Sequence, residues 1–573
     1  MRSTLLSIAL TLLIFATPSL SWAGTCPTGA NYLNTTNPTG PLVTLASLGV
    51  TNCFYVAANG SDSNDGASEL SGHPWAHAPG MSTCTGNCAA NKPAGGDGYI
   101  FRGGDAWHMG NGSDTPYTNG WVWTWAGTSQ SVPIYIGVDP GWYSGSSWAR
   151  PIMTADNPTR ACPGTGPCPV SSCAYDTVGG SGNNMIRFPG YNWIVFDNFE
   201  VTGWCWNNSN DQGMIGYYSG GAQNAYTPYY LVLENLYLHG WSHTSAGQQG
   251  TASGMEGNAS WPGVVLQFDV VDGQDSDDLS LSTLGRNNTD LYIVRYSVFR
   301  RSAGDIVSSS CHYIYDNLFE YYNMTTDGSG HGDDPFCEGE YAGGPANPNL
   351  FFDNIWRYVG TTYDNSVSYV PDFGTPSGQT DYIFNNVWHD NQPTASGNYL
   401  ADEGRSGKWI LFNNTVEMVP GGVGAFVFAT GSAVTSVNNQ WISPAANQGS
   451  IFNSAPASES EAVYMTNSTA AIQGYTSANN YAPTAATDST VTTPGINETT
   501  GYCAVSILNL VSAEAACAQG TTAGCSYDTS NHTVSCSAGN ARPLTGSWNV
   551  GAYQYSGLQP SSPTRLGGQA VPQ

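Results

Sequence analysis

The sequence predicts an all-β fold in which the chain winds into one parallel β-solenoid with long inserted loops. The first observation is a repeated segment, in which a β-rich run leads to a polar pair ending in Asn and then to a second short run. The aligned residues are Asn198, Asn235, Ser297 (the exception), Asn317, Asn354, Asn386, Asn414 and Asn439. The second observation is composition, because 69 glycines and 33 prolines supply turns while helical periodicity is almost absent.

The spacing of the aligned residues supports coils of one size. The smallest interval, 20 residues, matches one coil, and intervals up to 62 residues match the same coil with a loop inserted. Asn suits a sharp turn between short strands because it tolerates left-handed backbone angles. Stacked Asn side chains can also hydrogen-bond from coil to coil. We therefore expect one corner of the solenoid to be lined with Asn.

The elements at the start of the chain follow from local composition. Residues 1–23 contain an early arginine, an apolar run from Leu5 to Ala16 and small residues at Ser21 and Ala23, which is typical of a signal peptide. We expect a secreted protein, extracellular or periplasmic. Residues 24–50 are interpreted as a leader that covers the open edge of the first coil.

The remaining boundaries place the coils and the end of the chain. Residues 51–455 form the predicted β-helix core. Residues 456–556 are rich in Ser, Thr and Ala and contain a cluster of four cysteines, which predicts irregular late coils held by disulfides. Residues 557–573 are expected to be disordered.

Charge and cysteine content limit the partners. The formal charge is −27, from 42 acidic and 15 basic residues, so nucleic acid and anionic membranes are poor partners. No segment after the leader is apolar enough to span a membrane. The 14 cysteines predict disulfides, and the absence of a Cys-x2-Cys pair disfavours zinc. We expect a monomer that acts on an extracellular polysaccharide.

Two segments carry a resemblance to a known superfamily. FYVAANGSDSNDGASELSGHPWAHAPGM (54–81) and GDGYIFRGGDAW (96–107) resemble the opening of secreted right-handed parallel β-helix proteins of the pectate-lyase-like superfamily. RPLTGSWNVGAYQY (542–555) resembles their closing coil. The resemblance spans residues 51–556 and implies a right-handed parallel β-helix. It implies no single activity, because the superfamily contains lyases, hydrolases, esterases, epimerases and non-enzymatic surface proteins. His73 and His77 lie in the first segment, where we expect a structural role.

The stretch TTDGSGHGDDPFCEGEY (325–341) concentrates five carboxylates and one histidine. After each Asn turn the chain should re-enter the next coil, and successive re-entries carry Asp305 and then Asp333 with Asp334. Neighbouring coils lie about 4.8 Å apart. Like charges at that distance raise one pKa, which leaves one carboxyl protonated and one ionised. A retaining glycosidase needs such a pair, and a separation of two coils would instead suit an inverting one.

We therefore predict a glycoside hydrolase that requires no cofactor, with Asp305, Asp333 and Asp334 as acid and nucleophile or base. His331 and Glu338 are expected to support them. The predicted substrate-binding residues are Trp204, His239, Trp241, His243, Arg301 and His389, because sugar rings stack on aromatic faces and polar groups hold hydroxyls.

Two other functions remain open at this stage. The first is a calcium-dependent polysaccharide lyase in which the same acids bind the cation and Arg301 or Lys408 is the base. The loop VVDGQDSDD supplies possible calcium ligands at Asp272, Asp275 and Asp277, and its alternative interpretation is a solvated turn. The second function is a non-catalytic glycan-binding surface protein or adhesin.

A further pattern is interpreted as structural. Arg300, Glu320, Arg357, His389 and Glu417 each lie three residues after an aligned position. On stacked parallel strands they should form a ladder of alternating charge, in which each pair stabilises the fold by about 0.2–1 kcal/mol.

Overall fold

The computed structural model describes most of the chain between residues 23 and 555. The described residues are 23–35, 37–109, 120–157, 184–189, 193–206, 212–218, 231–243, 252–258, 262–276, 282–284, 291–301, 313–321, 332–333, 349–358, 368–369, 372–373, 378, 380–391, 402–403, 407–419, 428–429, 433–447, 451–452, 454–504, 517 and 522–555. Within these ranges two long parallel sheets share the coils, which confirms the predicted all-β parallel β-helix.

Sheet A is the longer of the two and contains 13 strands. They are Asn52–Val56, Asp97–Gly103, Ile134–Tyr143, Ile194–Asp197, Leu231–Glu234, Pro262–Gln267, Leu291–Arg295, Tyr313–Tyr315, Leu350–Phe352, Thr380–Phe384, Lys408–Phe412, Ala433–Val437 and Ser458–Ser460. Each strand pairs in parallel with the strand of the next coil, so that Val232 lies between Val195 and Val265.

Sheet B contains the 12 strands that follow the Asn corner. They are Ala106–His108, Ile152–Thr154, Glu200–Thr202, Tyr237–Leu238, Val270–Asp272, Val298–Arg300, Leu318–Glu320, Ile355–Arg357, Val387–His389, Thr415–Glu417, Gln440–Ile442 and Val463–Met465. The parallel coils therefore extend to Met465, past the predicted boundary at residue 455.

The third side of each coil follows sheet B and precedes the next strand of sheet A. Its early strands form sheet C: Trp121–Val122, Ile186–Pro189, Gln212–Tyr218, Ala252–Asn258 and Ser282–Leu284. In later coils the same place holds shorter strands, here called the re-entry strands: Gly332–Asp333, Ser368–Tyr369, Asp372–Phe373, Asp402–Glu403 and Phe428–Ala429. A separate parallel pair joins Cys205–Trp206 to Ser242–His243.

Helices are short in the described residues. The α-helices are Gly86–Ala90, Asn467–Ile472 and Ser489–Thr492, and the 3-10 turns are Leu45–Leu48, Gly273–Asp275, Ser477–Asn479 and Tyr502–Ala504. An antiparallel hairpin, Thr522–Asp528 with Thr533–Ala538, lies near the end of the chain. None of the helices in the described part of the chain is long and apolar enough to cross a membrane.

The corner between sheets A and B uses two adjacent residues for two purposes. At each corner the first of the two residues has a positive φ. From the N-terminus onward, these first residues are Asn198, Asn235, Phe268, Tyr296, Asp316, Asp353, Asn385, Asn413 and Asn438. The second residue stacks in the interior, as Asn317 and Asn354 do. The prediction that one Asn does both was wrong, because Asn198 and Asn235 are turn residues, one position before the stacked column. The interval of 62 residues also contains an additional coil, which turns at Phe268 and Asp269.

The stacked column is continuous through hydrogen bonds. The backbone N–H of Asn317 donates to Oδ1 of Asn354 at 3.1 Å, and Nδ2 of Asn354 donates to the carbonyl of Ile314 at 2.8 Å. The same pattern continues to Asn439. Toward the N-terminus, Ser297 and Asp269 occupy the column in place of Asn. The predicted hydrogen bonding from coil to coil is thus confirmed.

Two large apolar cores and a smaller third cluster around Ile442 and Val550 hold the described residues together. The inner core fills the coils and includes stacked rings such as Trp356 and Trp388, whose centroids lie 4.7 Å apart. The outer core lies where residues 23–50, the N-terminal arm, and residues 466–555, the C-terminal arm, cover the outward residues of sheets A and B. Trp548 of the C-terminal arm belongs to this outer core. The predicted leader therefore packs along the coils, and its Thr35 carbonyl accepts a hydrogen bond from Arg295 at 3.3 Å.

Within the described residues, one disulfide attaches the N-terminal arm to the coils, and two others lie inside the C-terminal arm. Cys26 is bonded to Cys53, which lies in the first strand of sheet A. The other described bonds are Cys84–Cys88, Cys503–Cys517 and Cys525–Cys536. Such bonds are consistent with an oxidising compartment outside the cytoplasm.

Candidate functional site

The acidic stretch of residues 325–341 enters the described structure at the strand Gly332–Asp333. This strand pairs in parallel with Ser368–Tyr369, which places Asp333 beside Tyr369. Four further predicted catalytic residues, Asp305, His331, Asp334 and Glu338, lie outside the described residues. The predicted carboxylate set around Asp333 therefore stays a prediction.

One coil further along, the re-entry strands bring two acids into register. Asp372 pairs with Asp402, and Phe373 pairs with Glu403. Paired positions on parallel strands share a face of the sheet and lie about 4.8 Å apart, whereas consecutive residues alternate between faces. The backbones of Asp372 and Asp402 therefore lie side by side in neighbouring coils, and Glu403 is one position further along its strand.

Sequence reasoning missed this pair. Asp402 stands in the re-entry segment YLADEG, but the inserted loops hide which residue of the preceding coil lies beside it. The sequence signal that could have found the pair is an acid at the first position of two short re-entry segments, DF at 372–373 and DE at 402–403. That signal is weak without the pairing of the backbones.

The tryptophans predicted to hold sugar rings belong to the interior. Trp204 is 1% exposed and Trp241 is 3% exposed, and both lie in the inner core. A buried ring cannot stack on a polysaccharide, so the expected role of these two residues is corrected to packing. The sequence does not distinguish the two roles, because aromatic rings fill apolar cores and stack on sugar rings equally well.

His239 lies in a charged cluster on sheet B. Its Nδ1 is 2.7 Å from a carboxylate oxygen of Asp275, and its Nε2 is 3.1 Å from Glu200. Burial would lower the pKa of His239, but the hydrogen bonds to Asp275 and Glu200 outweigh it and raise the pKa to about 9. With both nitrogens donating, His239 is an imidazolium that ties neighbouring coils together and has no free nitrogen to act as a base.

The C-terminal arm closes this cluster from outside. The ring of His532 stacks on Tyr237 at a centroid distance of 3.9 Å, and Tyr237 stacks on His239 at 4.1 Å. Burial, followed by the positive charge of His239, lowers the pKa of His532 to about 4. His532 is therefore neutral near pH 7, which allows it to pack beside the cationic His239.

Asp272, a predicted calcium ligand, is engaged by protein groups. It is fully buried, and its Oδ2 accepts from Arg300 at 3.1 Å and from the Tyr527 hydroxyl at 2.9 Å. Asp275 bonds to His239, and Asp277 lies outside the described residues. Across the ranges that the structure describes, no group of three or more His, Cys, Asp or Glu is arranged to hold a metal ion. Calcium binding in this loop stays a prediction.

Asp272 also extends the predicted charge ladder, which is confirmed for Arg300, Glu320 and Arg357, whereas His389 and Glu417 contact other groups. Arg300 lies 3.1 Å from both Asp272 and Glu320, and Arg357 lies 2.8 Å from Glu320. The arm covers this ladder, because the Tyr527 ring lies 5.0 Å from the Arg300 guanidinium. The ladder therefore attaches the arm to sheet B.

The other predicted substrate-binding residues, His389, Arg301 and His243, lie in different environments. His389 is 0% exposed, with Asp390 at 2.7 Å and Asn480 of the arm at 3.1 Å, so its predicted contact with substrate is corrected to a buried structural contact. Arg301 follows the sheet B strand Val298–Arg300 and is half-buried, with its guanidinium 6.0 Å from the Tyr321 ring. His243 pairs along the backbone with Trp206.

The structural role of the N-terminal histidines is confirmed. His77 Nδ1 lies 2.9 Å from Asp62, which also accepts hydrogen bonds from the backbone N–H groups of Ala76 and Thr85. His73 pairs with Asp65 at 2.8 Å. Both pairs hold the loop that covers the first coil.

Comparison with known proteins gives similarity in solved structures. No protein-family model matches the chain, and no curated protein matches it. A GH136 lacto-N-biosidase from Eubacterium ramulus is 13% identical, with a TM-score of 0.39, and the match covers 72% of this chain and 66% of that chain, just under two-thirds of its length.

Two lyases give similar values. A pectate lyase is 13% identical, with 72% of this chain and 78% of that chain covered and a TM-score of 0.31. A rhamnogalacturonan lyase is 13% identical, with 72% and 87% covered and a TM-score of 0.33. Similarity at this level carries no argument about activity, and the sheets themselves establish the fold. The chain is a parallel β-helix, the fold that its pectate-lyase-like segments implied.

Proposed function

We propose that this protein hydrolyses glycosidic bonds of an extracellular polysaccharide on the re-entry side of its coils. The observation that carries the proposal is the register of Asp372 with Asp402. Paired positions of neighbouring coils lie about 4.8 Å apart, and a retaining glycosidase needs its acid and nucleophile about 5 Å apart.

The proximity of the two acids supplies the required difference in protonation. Repulsion between like charges at this separation raises the pKa of one member of a carboxylate pair, and the proposal requires that member to carry the proton. The protonated member donates to the leaving oxygen, and the ionised member attacks the anomeric carbon. Asp333 lies in the preceding coil, and with the predicted Asp305, Asp334, His331 and Glu338 it is the second candidate carboxylate set.

The covering of the other two sides supports this location. Val265 of sheet A and Val298 of sheet B alternate with inner-core residues, yet both are fully buried in the outer core. Phe412 is likewise buried beside Tyr502 of the C-terminal arm. A long polymer therefore has the third side of the coils as its route of approach.

The test is a polysaccharide screen with the purified full chain, measured by the release of reducing ends. On a responsive glycan, Asp372→Asn and Asp402→Asn should each lower the rate by about 10²–10⁴-fold, the usual contribution of a positioned proton-transfer group. Asp528→Asn is the matched control, because Asp528 is an exposed acid in the hairpin turn.

The outcomes separate the competing functions. Unchanged rates of reducing-end release in both variants would refute the assignment of Asp372 and Asp402 as the catalytic acids. Products that absorb in the ultraviolet, together with inhibition by a chelator, would instead select a calcium-dependent lyase. Binding of a glycan without any cleavage would select the adhesin.

A further inference from the structure

The turn of the C-terminal hairpin lies on sheet B through an aromatic stack. Residues 527–532, here called the hairpin tip, include the turn that joins the two strands of the hairpin. The ring of His532 covers Tyr237, which is 3% exposed, and Tyr237 in turn covers His239. The guanidinium of Arg150 donates to two backbone carbonyls of the tip at 3.3 and 3.2 Å. The tip therefore lies against two cationic groups, His239 and Arg150.

His532 reaches this position through an unfavourable backbone conformation. Its φ is 51°, in the left-handed region that Gly and Asn adopt more easily than a bulky residue. Such residues often mark a functional position. Its Nδ1 lies 2.7 Å from the hydroxyl of Tyr527, and that hydroxyl donates to Asp272 at 2.9 Å. The Tyr527 oxygen therefore accepts from Nδ1–H, and Nε2 of His532 is the nitrogen that can gain a proton.

The charges around His532 come from its own hairpin and from the coils below. The charged groups that face it are His239, Arg150, Glu200, Asp275 and, in the hairpin turn, Asp528. Glu200 and Asp275 already accept hydrogen bonds from His239. The neighbouring Tyr237 and Tyr527 are neutral, because burial raises the pKa of both hydroxyls. The two cations and the burial of the ring therefore oppose a proton on docked His532.

We propose that the hairpin tip is an acid-released latch, which lies on Tyr237 while His532 is neutral and lifts from sheet B when His532 gains a proton. A proton on the docked ring would add a third positive charge beside His239 and Arg150 in a half-buried place, whereas water hydrates that charge on a lifted ring. The inference is independent of the proposed function, since the latch lies on sheet B and the third side of the coils is elsewhere.

The direction of the pH effect follows from the two forms of the tip. The pKa of His532 is about 4 in the docked form, and an exposed imidazole has a pKa of about 6.5. Because the docked pKa is the lower one, docking is fully stabilised above about pH 6.5 and weakens by up to about tenfold per pH unit as pH falls toward the docked pKa. The base of the hairpin stays in place, because Cys525, Val534 and Cys536 are buried in the outer core.

Hydroxyl-radical footprinting of the full chain, read by mass spectrometry, measures whether the tip covers Tyr237. Samples are compared at pH 7, 5.5 and 4.5. The modification of Tyr237 is divided by that of Tyr143, which is 40% exposed and calibrates the radical dose. Tyr99, which is fully buried in the inner core, reports general unfolding. We expect the modification of Tyr237 to rise toward that of Tyr143 as pH falls, while Tyr99 stays protected.

Two variants remove the titrating group and leave the neutral charge that His532 has at pH 7. His532→Phe keeps a ring that can stack on Tyr237, and His532→Gln keeps a side chain that can hydrogen-bond to Tyr527. The tip should still cover Tyr237 at pH 7, and it should stay docked at pH 4.5. His73→Gln, in the N-terminal loop, is the matched control, and it should expose Tyr237 in acid as wild type does.

The outcomes separate a local release from other events. Protection of Tyr237 in wild type at pH 4.5 would overturn the inference, and so would exposure of Tyr99 together with Tyr237, which is general unfolding. Equal acid exposure of Tyr237 in wild type and in the His532 variants would assign the release to other groups. One variant that is docked at pH 7 is enough for this comparison. Exposure of Tyr237 in both variants at pH 7 would also overturn the inference, because docking would then require the imidazole itself.

Discussion

Asp269 offers a stability test of the Asn column. It is the carboxylate within the described column that runs from Asp269 to Asn439, and it is fully buried. Its Oδ1 accepts from the backbone N–H of Leu236 at 2.9 Å, whereas Oδ2 has no hydrogen-bond partner. At the equivalent atom, Nδ2 of Asn317 donates to the carbonyl of Val294 at 2.9 Å. A protonated Asp269 mimics Asn, but an ionised one does not.

Burial raises the pKa of Asp269 well above its usual range. Because the folded-state pKa is raised above the unfolded value of about 3.9, the stabilising contribution is fully present below that value. It is lost as pH rises toward the folded pKa, at about 1.4 kcal/mol per pH unit. Asp269→Asn keeps the shape and supplies the donor without this proton, so its stability relative to wild type should grow as pH rises from 5 to 7, by up to about 1.4 kcal/mol per pH unit.

Urea unfolding at pH 5, 6 and 7, followed by tryptophan fluorescence, measures the difference. The buried acids Asp197 and Glu234 titrate in the same direction, but both proteins contain them. The reciprocal variant Asn317→Asp is the matched control, and it should acquire the pH dependence that Asp269→Asn loses. Parallel pH profiles for wild type and Asp269→Asn would refute the assignment of a buried, protonated carboxyl.

Three further predictions concern packing, charge and stereochemistry. His239→Gln should lower the free energy of unfolding at pH 6, and the difference from wild type should shrink by about 3 kcal/mol by pH 9. The stabilisation from a raised His pKa is present below about 6.5 and is lost as pH passes about 9. A difference in urea unfolding that is independent of pH would contradict this prediction. Trp388→Ala should lower the free energy of unfolding by about 3–5 kcal/mol, since it is fully buried. Ile472→Ala, at a residue 86% exposed, should change it by less than about 0.5 kcal/mol in the same assay; similar losses in both variants would refute the core assignment. Hydrolysis by Asp372 and Asp402 should retain the anomeric configuration, as followed by proton NMR of fresh products, and inversion would exclude this pair as acid and nucleophile.

The sequence by itself determined the winding of the chain. Repeated short β runs around Asn can be satisfied only when every coil repeats the same corner, and the column from Asn317 to Asn439 follows from that requirement. The ladder of Arg300, Glu320 and Arg357 was predictable for the same reason, because a fixed offset from a repeated corner places side chains one above another. The offset failed at Asn198, since Asn serves a left-handed turn as well as a stacked column.

Tertiary structure decided which of these positions face a ligand. His389 and the charge ladder were buried by an arm that returns from far along the chain, as the Arg357 contact with Asn480 shows. The pairing of Asp372 with Asp402 depends on the register between coils, which inserted loops of unequal length conceal. Local pattern sets the alternation of faces along each strand, but burial and neighbours depend on long-range contacts that no local pattern encodes.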